Sequence, residues 1–226
     1  MTVLEQIKEQ VIAGSVKKVK EYTDAAVAQG LDVSLILNDG LIAGMNVIGG
    51  LFKNDEVYVP EVLMAARAMH TGLAVIKPLI ASAGLKEKGV VAIGTVKGDM
   101  HDIGKNLVIM MLEGAGYKVI DLGTDVPTEK FLQVVEDEHP QVVGLSALLT
   151  TTMPQMQETV KRLQEYGNGI KIVVGGAPIS AKFAREIGAD GYAADAASAV
   201  EKVLELIRPL LIHNPLKKEV HHDSYA

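Results

Sequence analysis

The second half of the chain alternates short β-branched runs with amphipathic helical patterns, and this alternation limits the possible folds more than any other feature. Runs of strand length are separated by segments with helical spacing. The predicted strands are Val90–Val96, Lys118–Leu122, Gln141–Leu145, Lys171–Val174 and Gly191–Ala193. The predicted helices are Asp102–Gly114, one from Thr128, Pro154–Tyr166, Ser180–Ile187 and one ending near Leu211. Uniformly apolar strands are typical of a sheet covered on both faces, so we predict a doubly wound α/β domain with a five-stranded parallel sheet.

The first part of the chain follows only the helical period. Its apolar residues recur three and four positions apart, with a break at Gly14. A third helix is predicted over Leu35–Phe52 and a fourth from Pro60, which Pro78 should kink or end. Four helices joined by short loops predict a small antiparallel bundle. The expected units are a helical domain over 1–85, a turn-prone linker over 82–89, an α/β domain over 90–212 and a polar tail over 213–226.

Composition excludes several classes of function. The 226 residues include no cysteine, which rules out disulfides, thiolate nucleophiles, zinc fingers and cysteine-bound iron–sulfur clusters. The formal charge is 22 − 28 = −6, which disfavours nucleic acid and anionic membranes as partners. The N-terminus lacks the basic and apolar regions of a signal peptide, and the longest apolar stretch, residues 40–52, is too short to cross a bilayer. We therefore expect a soluble, cytoplasmic protein.

Candidate chemistry lies in the loop after the first strand. Ligands of doubly wound sheets bind outside the carboxyl ends of the strands, and this loop carries Asp99, His101 and Gly104. Two residues at i and i+2 share a side in extended chain, so the carboxylate could orient the imidazole toward a metal. A plain surface loop with a solvated histidine explains the same residues. A single histidine is too few ligands for a protein metal site, so other ligands would have to come from a prosthetic group.

The loops after the third and fourth strands are polar or glycine-rich. Ser146, Thr150 and Thr152 place hydroxyls where a ligand is expected, although helix capping would also explain threonines there. Gly175 and Gly176 follow the fourth strand, where a helix-initiating turn is the alternative explanation.

The three loops together carry a spaced motif. Asp99-x-His101-x-x-Gly104 is followed after 41 residues by Ser146-x-Leu148 and after 26 more by Gly175-Gly176. This pattern resembles the cobalamin-binding signature D-x-H-x-x-G…S-x-L…G-G. That family has a flavodoxin-like (Rossmann-like) sheet, in which strands one and three lie side by side.

The helical part extends the resemblance. Gly44-Met45-x-x-x-Gly49-x-x-Phe52, then Tyr58-x-Pro60-x-x-Leu63, resembles the cap bundle that precedes the cobalamin domain in methionine synthase. On its own, the segment could equally be a bundle core with closely packed small residues. Together the two halves resemble a stand-alone corrinoid protein of methylotrophic methyltransferase systems.

The resemblance implies a role for each matching residue. His101 would be the lower axial ligand of cobalt, with Asp99 on its other ring nitrogen and Thr152 continuing that relay. Ser146 and Leu148 would contact the buried benzimidazole. Further cofactor contacts are implied for Gly98, Met100, Asp102, Ile103, Gly104, Thr150, Gly175 and Gly176, with Phe52 and Tyr58 covering the upper face.

The implied function is that of a methyl carrier and not of a complete enzyme. Bound cobalamin would cycle between Co(I) and methyl-Co(III), taking the methyl group of a methylamine, methanol, betaine or a methoxyaromatic compound through a substrate-specific methyltransferase. A second methyltransferase would pass it to coenzyme M or tetrahydrofolate, and a reductive activator could serve the system. The linker over 82–89 is the expected hinge for the cap. A small subunit of an adenosylcobalamin-dependent mutase, a cobalamin-dependent sensor and a cofactor-free interaction module are the alternatives.

Overall fold

The computed structural model describes residues 1–82, 87–167 and 169–212, and the first of these ranges is helical. Helix α1 (Val3–Ile12) begins at a capping box in which the Thr2 side chain and the Glu5 side chain each accept a backbone N–H. Helix α2 (Val16–Ala28) follows Gly14, whose φ of +65° ends the first helix. The remaining helical elements are α3 (Val33–Leu35), a π-helical segment (Ile36–Ile42), α4 (Ala43–Lys53) and α5 (Val59–Ser82). We call residues 1–82 the helical half.

Two details of the helical half differ from the sequence prediction. The predicted third helix is continuous from Val33 to Lys53 but contains the π-helical segment, where Gly40 packs against Ile7. Helix α5 does not end at Pro78, since it continues to Ser82. Half of the predicted linker, residues 83–86, and the predicted polar tail lie outside the described residues.

The rest of the described chain forms the predicted five-stranded parallel sheet. The strands are β1 (Val90–Thr95), β2 (Lys118–Asp121), β3 (Val142–Ser146), β4 (Lys171–Gly175) and β5 (Gly191–Ala193), in the order β2-β1-β3-β4-β5. The connecting helices are α6 (Ile103–Gly114), α7 (Thr128–Glu138), α8 (Met153–Tyr166), α9 (Ala181–Glu186) and α10 (Ala196–Ile212). The flavodoxin-like prediction is therefore confirmed, and β1 and β3 are neighbours, as the resemblance implied.

Helices cover both faces of the sheet. Alternate strand residues point to opposite faces, so Ala92, Val143 and Ile172 pack with α7, α8 and α9 on what we call the α7 face. Val91, Val142 and Val173 point toward α6 and α10 on the α6 face. The sheet is thus buried on both sides, which explains why its strands read as continuous apolar runs.

The helical half packs against the outer side of α6 and α10. Met45 of α4 lies against Gly114 of α6, so closely that a Cβ on Gly114 would be 2.6 Å from Met45 Cγ. An ion pair of 2.6 Å joins Lys53 to Glu201, which lies on α10. The helical half therefore lies on the same side of the sheet as the α6 face.

Two stretches of the helical half have the length and hydropathy of a membrane span, Val33–Lys53 and Val59–Ile80. In the structure they form the centre of this half, where Ile36, Leu41, Ile48, Met69 and Ile76 are almost completely buried. Core helices of water-soluble proteins pass the same length and hydropathy test.

Candidate functional site

Two loops meet at the carboxyl edge of the sheet, where the strand order reverses. The first leaves β1 and carries Asp99 and His101, and the second leaves β3 and runs from Ala147 to a 3₁₀ turn at Thr150–Thr152. Because β1 and β3 pair in parallel, with Thr95 opposite Ser146, both loops emerge side by side. This is the topological switch point at which doubly wound sheets bind ligands.

Asp99 is the centre of the contact between these loops. Its carboxylate is completely buried and accepts hydrogen bonds from both loops. Oδ1 lies 2.7 Å from His101 Nδ1 and 3.1 Å from the His101 main-chain nitrogen. Oδ2 accepts from the main-chain N–H groups of Leu148 (2.7 Å) and Leu149 (3.1 Å) and from Thr152 Oγ1 (2.8 Å).

These contacts keep Asp99 ionised. Burial by itself would raise the pKa of Asp99. Hydrogen bonds from the Leu148 N–H and from the ring and main chain of His101 outweigh that effect and hold this pKa well below its usual range. An ionised carboxylate only accepts hydrogen bonds, so a neutral His101 ring must carry its hydrogen on Nδ1 and its lone pair on Nε2.

His101 adjoins a cavity, and Nε2 is the ring nitrogen that Asp99 does not contact. The His101 side chain is 50% exposed, and the ring lines the cavity. Among the described residues, no three His, Asp or Glu side chains are grouped closely enough to hold a metal ion. A metal bound at Nε2 would therefore need its other ligands from elsewhere.

The cavity opens beside His101 and extends down the α6 face of the sheet. Its volume is about 560 Å³, within the range typical of small-molecule sites. Strand residues form one wall and the helices α6 and α10 form the other. Its apolar lining includes Val91, Ile93, Leu107, Val108, Leu112, Val142, Val173, Ala193, Ala196, Ala199 and Val203. A largely apolar ligand fits such a lining.

Comparison with known proteins identifies the family. Two models described as "B12 binding domain" match this chain, one over residues 89–201 and one over residues 3–77. A corrinoid protein of Desulfitobacterium hafniense is 43% identical over 206 residues, which covers 89% of this chain and 95% of the relative. This chain belongs to the B12-binding corrinoid proteins. The resemblance drawn from the sequence is thereby confirmed.

Two further corrinoid matches extend over nearly the whole chain. Dimethylamine corrinoid protein 1 of Methanosarcina acetivorans is 41% identical over 209 residues, covering 90% of this chain and 98% of the relative. Among solved structures, the methanol:cobalamin methyltransferase complex MtaBC of Methanosarcina barkeri matches with a TM-score of 0.80 and 33% identity. That match covers 94% of this chain and 80% of the chain compared.

Most of the residues that the corrinoid resemblance implies for cofactor contact line this one cavity. They are Phe52, Met100, His101, Asp102, Ile103, Gly104, Ser146, Leu148, Gly175 and Gly176. Asp99 and Thr152 lie buried behind His101, and Gly98 and Thr150 belong to the two loops beside them. Tyr58 is 67% exposed and does not line the cavity. The cofactor contacts assigned to these side chains remain predictions.

The three motif glycines of this corrinoid protein have different surroundings. A Cβ on Gly104 would meet nothing within 4 Å and would project from the cavity lining. A Cβ on Gly175 would be 3.0 Å from the Ala193 carbonyl oxygen, and one on Gly176 would overlap the carbonyl oxygen of Ala147. Gly176 also has a φ of +121°. The fold therefore requires a glycine at position 176 even without a cofactor. Of the three motif glycines, only Gly104 adjoins open space.

Sequence reasoning missed several residues that form the corrinoid protein's site. The Leu149 N–H binds Asp99, but no side-chain pattern reveals a backbone donor. Gly144 lines the cavity in the middle of β3, and a glycine inside a β-branched strand is a recognisable sign of close approach. Ala196 and Ala199 on α10 were also missed, although small residues on the inner side of a helix indicate space beside it.

Proposed function

We propose that this protein carries a methyl group on bound cobalamin between two methyltransferases. The observation that carries the proposal is the His101 ring beside the cavity, with Nδ1 held by buried Asp99 and Nε2 left with the lone pair. The names of the relatives support it, since they are corrinoid proteins, one for dimethylamine, and a matching structure is a methanol:cobalamin methyltransferase complex. These relatives do not favour a mutase subunit or a sensor.

The residues present fit a corrinoid. A bound corrin would bring most of the ligands of its own cobalt, so the protein would need to add only one, and His101 offers one nitrogen. The apolar cavity beside the ring accommodates a largely apolar group such as a displaced benzimidazole. Gly104 leaves open space at the start of α6, where a side chain would narrow the entrance.

Each residue of the site has a definite task in this proposal. His101 would bind cobalt through Nε2 as the lower axial ligand. Asp99 holds the hydrogen on Nδ1 and fixes the orientation of the ring, and the Thr152 hydroxyl, 2.8 Å from Asp99 Oδ2, helps to keep the carboxylate in place. Ser146 and Leu148 at the cavity wall would contact the benzimidazole. When bound, cobalamin supplies a cobalt ion that accepts and releases a methyl group.

In this proposal, partner methyltransferases and not this chain recognise the methylated substrate. The cavity wall is mostly apolar, and this proposal assigns no acid–base chemistry to the ionisable residues that line it besides His101, which are Asp102, Lys105 and Asp195. A substrate-specific methyltransferase would therefore activate the methylated compound, and a second one would transfer the methyl group to coenzyme M or tetrahydrofolate. A reductive activator and a location in the cytoplasm belong to the same proposal.

Reconstitution with methylcobalamin under anaerobic conditions tests the proposal. The wild type should bind the cofactor and show the visible spectrum of cobalamin that has lost its own base and gained an imidazole. His101→Ala should lose the imidazole signature. His139→Asn is the matched control, because His139 is exposed at the end of α7 in a left-handed conformation that Asn also tolerates.

Methyl transfer supplies a second measurement. Holoprotein loaded with unmethylated cobalamin and chemically reduced to Co(I), then mixed with a dimethylamine or methanol methyltransferase, should receive a methyl group from the matching donor. A wild type that binds no corrinoid, or a His101→Ala variant with an unchanged spectrum, would overturn the proposal.

A further inference from the structure

The main chain of the loop that carries His101 is also held by Thr95 and Asp125, which the cobalamin signature does not include. The main-chain carbonyl of His101 accepts a hydrogen bond of 2.8 Å from Thr95 Oγ1. Thr95 is the last residue of β1 and is completely buried. The His101 main-chain N–H is bound to Asp99, so both backbone polar groups of His101 have fixed partners.

Asp125 holds the beginning of the same loop. Its Oδ1 accepts the Gly98 N–H at 2.7 Å, and its own N–H donates to the Asp99 carbonyl at 2.9 Å. Asp125 adopts a left-handed conformation with a φ of +52°. Asp and Asn are among the few residues other than Gly that tolerate this region. The conformation directs both the carboxylate and the N–H of one residue toward a single loop.

Thr95 and Asp125 belong to one framework. Beyond the end of β2, residues 123–126 run alongside β1: the Thr95 N–H donates to the Gly123 carbonyl at 3.0 Å, and the Val126 N–H donates to the Thr95 carbonyl at 2.9 Å. Val96 and Val126 form a parallel bridge. The sheet therefore extends by one short pairing directly beneath the His101 loop, and both residues project from it.

The contacts of Asp99 alone do not fix this loop. Oδ2 anchors the carboxylate to the loop after β3, whereas the Asp99–His101 bond is internal to the first loop. Asp125 holds the main chain at Gly98, and Thr95 holds the main-chain carbonyl of His101. A ring that must direct one lone pair at a metal needs its backbone fixed as well as its Nδ1.

We propose that Thr95 and Asp125 are positioning residues that set the direction of His101 Nε2 toward the bound cobalt. This inference rests on the proposed function, because it assigns a purpose to the orientation of Nε2. Neither residue touches the cofactor in this proposal. They act through the main chain on either side of the Asp99–His101 pair.

Two variants at each position separate the hydrogen bond from other effects. Thr95→Val removes the hydroxyl at nearly equal volume, and Thr95→Ser keeps it. Asp125→Gly keeps the left-handed conformation but removes the acceptor, and Asp125→Asn keeps both the conformation and an acceptor oxygen for the Gly98 N–H. At each position, one variant therefore removes the hydrogen bond and the other, more conservative variant retains it.

The first measurement is the spectrum of methylcobalamin holoprotein, read as the ratio of imidazole-bound to imidazole-free cofactor. We expect this ratio to fall about tenfold in Thr95→Val, because the loss leaves the His101 carbonyl without its buried partner. A smaller fall of about threefold is expected in Asp125→Gly, whose carboxylate is exposed. Thr95→Ser and Asp125→Asn should restore the wild-type ratio.

The second measurement needs no cofactor. Hydrogen exchange of the Gly98 amide in the protein without corrinoid should accelerate about threefold or more in Asp125→Gly and stay near the wild-type rate in Asp125→Asn. Spectra that are unchanged in Thr95→Val and Asp125→Gly, or rescue variants that behave like the losses, would overturn the inference. If the wild type binds corrinoid through His101 while these variants have no effect, only this inference fails. If the wild type binds no corrinoid, the proposed function fails.

Discussion

The two faces of the sheet receive similar helices and similar apolar side chains, but they are packed differently. On the α7 face, Phe131, Met156 and Leu163 are completely buried in one hydrophobic cluster with strand residues. On the α6 face, strand and helix residues of comparable hydrophobicity line a cavity of about 560 Å³. Protein interiors are normally packed as densely as organic crystals. A cavity of this size between apolar walls therefore indicates a binding site for an apolar ligand.

The difference arises from residue size. The α7 face places long or aromatic side chains opposite the strands. Phe131, for example, packs so closely on Gly94 that a Cβ on Gly94 would be 2.9 Å from the Phe131 ring. The α6 face combines Gly144 on β3 with Ala196 and Ala199 on α10. Small residues on both walls leave the space that larger ones fill on the other side. The following predictions test whether the two faces differ in this way.

Two equally buried leucines, one on each face, should show the largest difference in their contributions to the free energy of unfolding. Leu163→Ala on α8 should lower the free energy of unfolding by about 3–5 kcal/mol, because it creates a new cavity in a filled core. Leu112→Ala on α6 should cost only about 2 kcal/mol, because Leu112 already lines open space. Urea unfolding of the protein without corrinoid measures both values. Equal losses would mean that the α6 face is packed as tightly as the α7 face.

Two glycines of the cavity lining should respond in opposite ways to alanine. Gly176→Ala should destabilise the cofactor-free protein by about 3 kcal/mol, because its Cβ overlaps the Ala147 carbonyl and its φ is left-handed. Gly104→Ala should leave stability unchanged or raise it by about 0.5 kcal/mol, since the site is open and helical. Thermal melting measures the stabilities, and methylcobalamin titration should show weaker binding by Gly104→Ala. Tight binding by Gly104→Ala would place the corrinoid elsewhere.

Enlarging a small residue should separate folding from binding. Ala92→Leu on the α7 face should cost about 1–3 kcal/mol, because the added atoms have no space. Ala199→Leu on the α6 face should fold with wild-type stability or better, because the cavity accepts the added atoms. The same Ala199→Leu protein should fail to bind methylcobalamin in equilibrium titration. A variant that folds and binds normally would show that the cavity is not the binding site.

Two buried threonines should show the smallest effects. Thr23 in the helical half has a hydroxyl with no hydrogen-bond partner among the described residues, whereas the hydroxyl of Thr159 on α8 is hydrogen-bonded to that of Thr128 at 2.8 Å. Thr23→Val should leave the free energy of unfolding unchanged or raise it by about 1 kcal/mol, and Thr159→Val should lower it by about 1 kcal/mol. Chemical denaturation at constant pH distinguishes them. A loss in Thr23→Val would reveal a partner for that hydroxyl.

The sequence predicts the strands well because their signals are local. Four of the five strands are runs that contain β-branched residues, the exception being Gly191–Ala193, and the observed ends lie within one residue of the predicted ones. The site motif is also visible, because the residues of one loop lie close in sequence. Asp99 and His101 are two positions apart, and the structure joins them directly.

Other features depend on contacts between segments distant in sequence. The π-helical segment Ile36–Ile42 occurs where Gly40 meets Ile7, and helical periodicity does not indicate that contact. Helix α5 continues through Pro78, since helix packing outweighs the lost hydrogen bond. Asp125 lies three residues before α7 and belongs to no motif identified in the sequence, so only the folded chain brings its carboxylate to Gly98.

In the proposed function, the single free nitrogen of His101 also determines which forms of a metal the protein admits. Zn²⁺, Ni²⁺ and Cu²⁺ bind strongly where three or four side chains converge, and the described part of the chain offers no such group. Free ions from the cellular pool therefore find only one weak donor here. A cobalt ion that arrives inside a macrocycle needs no more than that donor. The site therefore does not bind free metal ions tightly, because it supplies too few ligands for any metal that does not bring its own equatorial ligands.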